Sequence, residues 1–246
     1  MHTAFDLPAQ GRLRRGRGQN PDPNLDQVNL GFGGIRARYR KFPGRVLRLV
    51  DPFSAELVHF GSPLQYENWL LRRFDPSVVF LDHRRDEWSV LHRGKLLMVH
   101  PHLHWAGWAM KGCLEMVAEP GKELKARSLE TLDIVARAHG LVPSARTTNQ
   151  VRAQPDLLDF LDRTRQLVTL HLREVHSGGL GNRVLSQLRG GRPKRRGDLL
   201  VELGADVDET LAPAVDAVLF WLRQTAAVRF DLEGGRYGNH TVIEAA

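Results

Sequence analysis

The sequence predicts an α/β protein, with a mixed, largely antiparallel sheet flanked by helices and, after it, a small helical domain bearing a β-hairpin wing. Three observations predict this. Short strand-like runs fall between two amphipathic helical stretches; three further helical stretches near the C-terminus are followed by two strand-like runs about Gly234-Gly235; and 42 % of the 246 residues are hydrophobic, enough for a proper core.

Taken in order, residues 1 to 35 are rich in Gly, Arg, Pro and Asn with little apolar periodicity, so they are expected to form a basic arm that folds onto DNA or a partner. From Arg45 the texture changes. RVLRLV (45 to 50) and AELVHF (55 to 60) alternate around the turn signal DPFS and predict a strand pair. Ser62 followed by Pro63 is an N-cap with a first-turn proline, and the helix it opens runs to the stop at Asp75-Pro76. Leu64, Leu71 and Phe74 share one stripe of that helix, and so does Glu67. A carboxylate facing inward needs a cation, a hydrogen-bond donor or a metal beside it, unless it sits at the edge of the stripe and reaches water.

SVVFLDHR (77 to 84), DEWSVLHRG (86 to 94) and KLLMVHPHLHW (95 to 105) read as strands, the last two joined by Arg93-Gly94. AGWAMKG is a turn and CLEMVAE (113 to 119) a short buried strand. ELKARSLETLDIVARAHG makes a helix with Leu124, Leu132 and Val135 on one face and Gly140 just past its end. LVPSARTT then connects to a helix around QPDLLDFLDRTRQLVTLHL, with Leu157, Leu161, Val168 and Leu172 in register. From about Gly178, LGNRVLSQL, GDLLVELG and LAPAVDAVLFWLRQT read as three helices and VRFDLEGGRYGNHTVIE as two strands, the pattern of a winged helix. The expected divisions are 1–35, 36–175 and 176–246.

A single cysteine, Cys113, excludes a disulfide framework and a cysteine-based zinc ribbon, and fits a reducing compartment. No apolar run approaches the ~18 residues of a membrane span, so a cytoplasmic protein without a membrane partner is expected. The net charge is +7 and the pI about 10.1. Much of the excess lies in three clusters: Arg12, Arg14, Arg15 and Arg17; RARYRK (36 to 41); and Arg192, Lys194, Arg195 and Arg196. Clustered arginines in Gly-rich context suit phosphate backbones, whose counterions they displace. The other reading is a solvated basic surface that serves solubility.

Histidines at 100, 102 and 104 would line one side of a strand, and imidazole clusters suit zinc, copper or iron. Against a histidine hydrolase or metal carrier, three ligands on one short strand rarely converge, and Pro101 interrupts the ladder. The order of elements gives another reading. A helix with an inward glutamate, followed by a hairpin with an acid near the end of its first strand and Glu-x-Lys on its second, is the active-site layout of restriction-endonuclease-like enzymes, whose carboxylates hold Mg²⁺.

YENWLLRRFDPSVVFLDHR (66 to 84), GKLLMVHPHLHW, CLEMVAE, LETLDIVARAHG and QVRAQPDLLDFLDRTRQL (150 to 167) together resemble the TnsA-like endonuclease subunit of heteromeric transposases, over roughly Val46 to Leu170. The resemblance implies a restriction-endonuclease-like domain and a winged-helix-like C-terminal domain. It also implies DNA, a DDE-type transposase and an AAA+ regulator as partners, and Glu67, His102 and Glu115 at the catalytic and metal-ligand positions. The chain departs from the family pattern at two of four positions: His102 stands where the family has aspartate, and Val117 where it has the lysine of Glu-x-Lys. An imidazole can replace a carboxylate as a ligand, whereas valine cannot replace an ammonium, although Lys111, Lys122 or Lys125 could approach from elsewhere. Two expectations follow: a DNA- and partner-binding subunit that has lost cleavage and needs no cofactor, or an active endonuclease using Mg²⁺ or Mn²⁺ at a rearranged site.

Overall fold

A computed structural model describes residues 47–83, 87–108, 111–118, 124–205, 208, 210–232 and 236–246. The N-terminal arm, with Arg12, Arg14, Arg15 and Arg17, and the segments holding Lys122 and Gly234-Gly235 lie outside them.

The predicted strand pair is antiparallel, β1 (Leu47–Val50) against β2 (Leu57–Phe60). Ser62 then caps α1 (Pro63–Arg73), its hydroxyl accepting from the Gln65 amide at 3.3 Å. Residues 64 to 70 of α1 are all buried, and Leu64, Trp69 and Leu70 completely. Each such side chain contributes about 1.5–3 kcal/mol by leaving water.

The central sheet is mixed and four-stranded, in the order β3 (Val78–Asp82), β6 (Leu103–Gly107), β7 (Cys113–Val117), β8 (Val142–Arg146). The first three strands are antiparallel neighbours, and β8 runs parallel to β7 after the crossing helix α2 (Ala126–Ala138). Alternation along β7 decides what each face meets: Cys113, Glu115 and Val117 point toward α1, while Leu114 and Met116 pack under Leu132 and Val135 of α2. Glu115 thus faces α1. A separate hairpin, β4 (Trp88–His92) with β5 (Lys95–Val99), turns at Arg93-Gly94, where both residues take positive φ, 49° and 74°.

Two local expectations are corrected. KLLMVHPHLHW is not one strand: the chain leaves the ladder at 100–102 about Pro101, so the three histidines do not line one strand face. LVPSARTT, read as a connection, contains strand β8 (Val142–Arg146). Leu124 lies two residues ahead of α2, and Gly140 takes the positive φ (71°) expected of the residue that ends that helix.

A capping box at Thr147 starts the short α3 (Thr148–Val151), and α4 (Pro155–Leu170) follows. Its register breaks at His171, after which Leu172 belongs to α5 (Leu172–Ser177). The C-terminal part contains α6 (Gly179–Leu188), β9 (Lys194–Arg195), α7 (Arg196–Glu202), α8 (Leu211–Gln224), β10 (Val228–Arg229) and β11 (Val242–Ala245). Its three strands form an antiparallel sheet in the order β10-β11-β9, in which β9 was not expected. One apolar cluster joins α1 and α4 to α8 and β11, from Val58 to Ile243.

Candidate functional site

Glu115 has no exposed surface, although its side chain carries a carboxylate. An unpaired charge in that position would be prohibitively costly, and four donors remove the penalty. Arg72 donates from Nη2 to Oε2 at 2.6 Å and from Nε to Oε1 at 3.3 Å. Asn68 Nδ2 reaches Oε1 at 2.6 Å, and Ser144 Oγ donates to Oε2 at 3.0 Å from the opposing position on β8. Asn68 and Arg72 are four residues apart, so one face of α1 presents both to β7. Burial pushes the Glu115 carboxyl upward, but the bonds and charge of Arg72 outweigh it and hold the group below its ordinary 4.5.

The Arg72 guanidinium also lies over the Trp105 ring, 4.2 Å from its centroid. Asn68 is shared: its Oδ1 accepts from Arg146 Nη1 at 2.9 Å, and Arg146 Nη2 donates to the Gln150 carbonyl at 3.2 Å. Ser144, Arg146, Asn68, Glu115 and Arg72 form one continuous polar layer between helix and sheet.

Glu67, next along α1, points elsewhere. A forked pair from Arg152 engages both of its oxygens, Nε to Oε2 at 2.6 Å and Nη2 to Oε1 at 3.0 Å. The inward glutamate therefore has a cation as its partner. His102 bridges strand ends, its own amide donating to the Glu115 carbonyl and its Nδ1 accepting from the Val117 amide, both at 2.9 Å.

These residues do not fit a divalent metal. Every oxygen of Glu67 and Glu115 already accepts from a guanidinium, amide or hydroxyl, and the Nδ1 lone pair of His102 is spent on the backbone. Among the described residues, no group of three or more His, Cys, Asp or Glu side chains is placed to hold a metal ion. In place of the metal set expected at Glu67, His102 and Glu115, the structure has carboxylates paired with arginines. Val117 packs with Leu64 and Val151 in a sealed apolar cluster, and Lys111 and Lys125 are exposed without bonding to Glu115. Cys113, beside this layer, is buried and its thiol is pushed up to about 12 by burial and by Glu115, so it is inert as a nucleophile.

A second buried node ties α1 to α4. Tyr66 donates its hydroxyl proton to Asp162, and Arg165 Nε donates to the Tyr66 oxygen at 2.9 Å. Burial is the main cause that drives the Tyr66 hydroxyl well above its ordinary value.

RARYRK (36 to 41) lies outside the described residues; of the third basic cluster, Lys194 pairs with Glu202, and Arg196 holds Asp216 through two bonds at 2.7 and 2.6 Å. Arg192 and Arg195 are exposed. The expected DNA contacts in this cluster thus divide into two structural ion pairs and two exposed guanidiniums. No described helix is long and apolar enough to cross a membrane.

The sequence reading missed Asn68, Arg72, Ser144, Arg146 and Arg152. The four-residue spacing of Asn68 and Arg72 was the available signal for the first pair. Ser144 and Arg146 come from the segment read as a connection, and Arg152 from the stretch quoted for the resemblance, where it was given no role. No protein-family model matches the chain, and no curated protein does.

Proposed function

We propose that the chain is a TnsA-like subunit of a DNA transposition machinery that binds DNA and partner proteins through a nuclease-derived α/β domain without cutting a strand. The carrying observation is the fate of the two carboxylates at the resembling positions, each of which is neutralised by an arginine of the same chain. A nuclease site must keep carboxylate oxygens available to a cation, and this one spends them on structure.

Further support comes from layout. A helix carrying the inward Glu67 precedes the hairpin β6–β7, whose second strand carries Glu115, which is the order the resemblance implies. Three helices with a three-stranded antiparallel sheet at the C-terminus agree with a winged-helix module. The positive balance of +7 supports phosphate contact. The AAA+ regulator and the DDE transposase are the partners this reading names.

The binding half is tested by fluorescence anisotropy of the full chain with labelled duplex DNA across a salt series. Binding should weaken steeply with salt, and replacing Arg12, Arg14, Arg15 and Arg17 together by glutamine should flatten the slope. Absence of binding at low salt would overturn the reading.

A further inference from the structure

An open cleft of about 550 Å³ lies beside the buried polar layer, where α1, α3 and α4 meet α8. Arg72, Arg146 and Arg223 all line it, with Asp75 the one acid among its described lining residues. The three guanidiniums differ in what compensates them. Arg72 is matched by Glu115. Among the described residues, Arg146 bonds only to neutral oxygens, Asn68 Oδ1 and the Gln150 carbonyl. Arg223 likewise donates to the carbonyls of Phe230 at 3.0 Å and Phe74 at 2.9 Å. Burial lowers the pKa of both Arg146 and Arg223, and the nearby charges of Glu115 for Arg146 and of Asp75 and Asp231 for Arg223 offset only part of that effect.

A guanidinium has five N–H donors, so each of these two keeps donors beyond the bonds named above. Its planar fork matches phosphate oxygens. Gln154 opens α4 at the cleft margin with its side chain making no cap bond, while the first turn also holds Pro155, which has no N–H, and the carboxylate of Asp156. The remaining wall is apolar, formed by Leu71, Pro76, Leu157 and Leu232. Cations with an apolar wall, in a volume within the usual few-hundred-Å³ range of small-molecule sites, suit a ligand with one phosphate and one flat apolar body.

We propose that this cleft binds a nucleoside monophosphate unit, with its phosphate between Arg146 and Arg223 and its base against the Leu157 wall. The unit has two possible sources: a free nucleotide, or the phosphorylated end of a DNA strand. The strand-end source rests on the DNA-binding reading above, whereas the cleft's preference for phosphate does not.

Calorimetry of the full chain with a deoxynucleoside 5′-monophosphate, and with the same nucleoside lacking phosphate, tests it. The nucleotide should bind and the nucleoside should not. Arg146→Gln should weaken nucleotide binding by roughly tenfold or more, the usual effect of losing a charge-assisted bond. Because Arg146 also supports Asn68, a second variant guards against misfolding: Gln154→Glu places a carboxylate at an exposed helix start, where the fold favours it, yet repels an anion. It should weaken binding comparably. Absence of nucleotide binding, or binding that neither variant changes, overturns the proposal. A duplex with a 5′-phosphate that competes with the nucleotide better than its unphosphorylated form identifies the strand end as the source, and failure to compete identifies the free nucleotide. Nucleotide binding in a chain that binds no duplex would sink the DNA reading and leave the cleft intact.

Discussion

Glu115 concentrates the electrostatics of the domain, because a fully buried carboxylate is tolerable only while Arg72, Asn68 and Ser144 hold it. Glu115→Ala leaves Arg72 facing a void without its counter-charge, so a loss of about 3–5 kcal/mol is expected, readable as a drop in the denaturant midpoint. Its folded carboxyl lies below the unfolded value, so the group stabilises the fold above the ordinary carboxylate range. That contribution is lost as pH falls through the folded value. Acid titration of stability should therefore steepen below about pH 4 in the wild type. Glu115→Gln should remove part of that dependence; an unchanged acid limb would show that the ion pair contributes little.

At the scale of elements, α1 is the piece most fully written into the sequence. Ser62-Pro63 marks its start, and the apolar recurrence marks its buried face. Ser62→Ala removes the cap bond to Gln65 and should cost about 0.5–2 kcal/mol, measured by thermal or chemical unfolding. Strand β8 was illegible by comparison. VPSAR has a proline, a serine and an arginine among five residues, because β8 is an edge strand of the sheet, with no buried residue, and Ser144 and Arg146 serve the polar layer, so it lacks the apolar run by which a strand is recognised. The same cause hid the partners of Glu115. Sequence patterning finds residues that face oil, and Asn68, Arg72 and Ser144 face a charge. In the histidine run, Pro101 lies between two strands, as the sequence signalled, and the imidazole of His102 serves as a backbone acceptor at the start of the second.

For the molecule as a whole, the α/β class with a mixed sheet between helices was legible from the order of runs, and the described chain has it. The apolar cluster from Val58 to Ile243 joins the sheet domain's helices to α8, and Arg223 of α8 bonds to the Phe74 carbonyl at the end of α1. In the proposed reading, the Arg72–Glu115 and Arg152–Glu67 pairs close with the chain's own arginines what a nuclease keeps open. Incubating the full chain with supercoiled plasmid and Mn²⁺, under salt at which it binds DNA, tests the claim most directly. The account predicts that the plasmid stays supercoiled while remaining bound. Nicking that disappears in Glu67→Ala would contradict it.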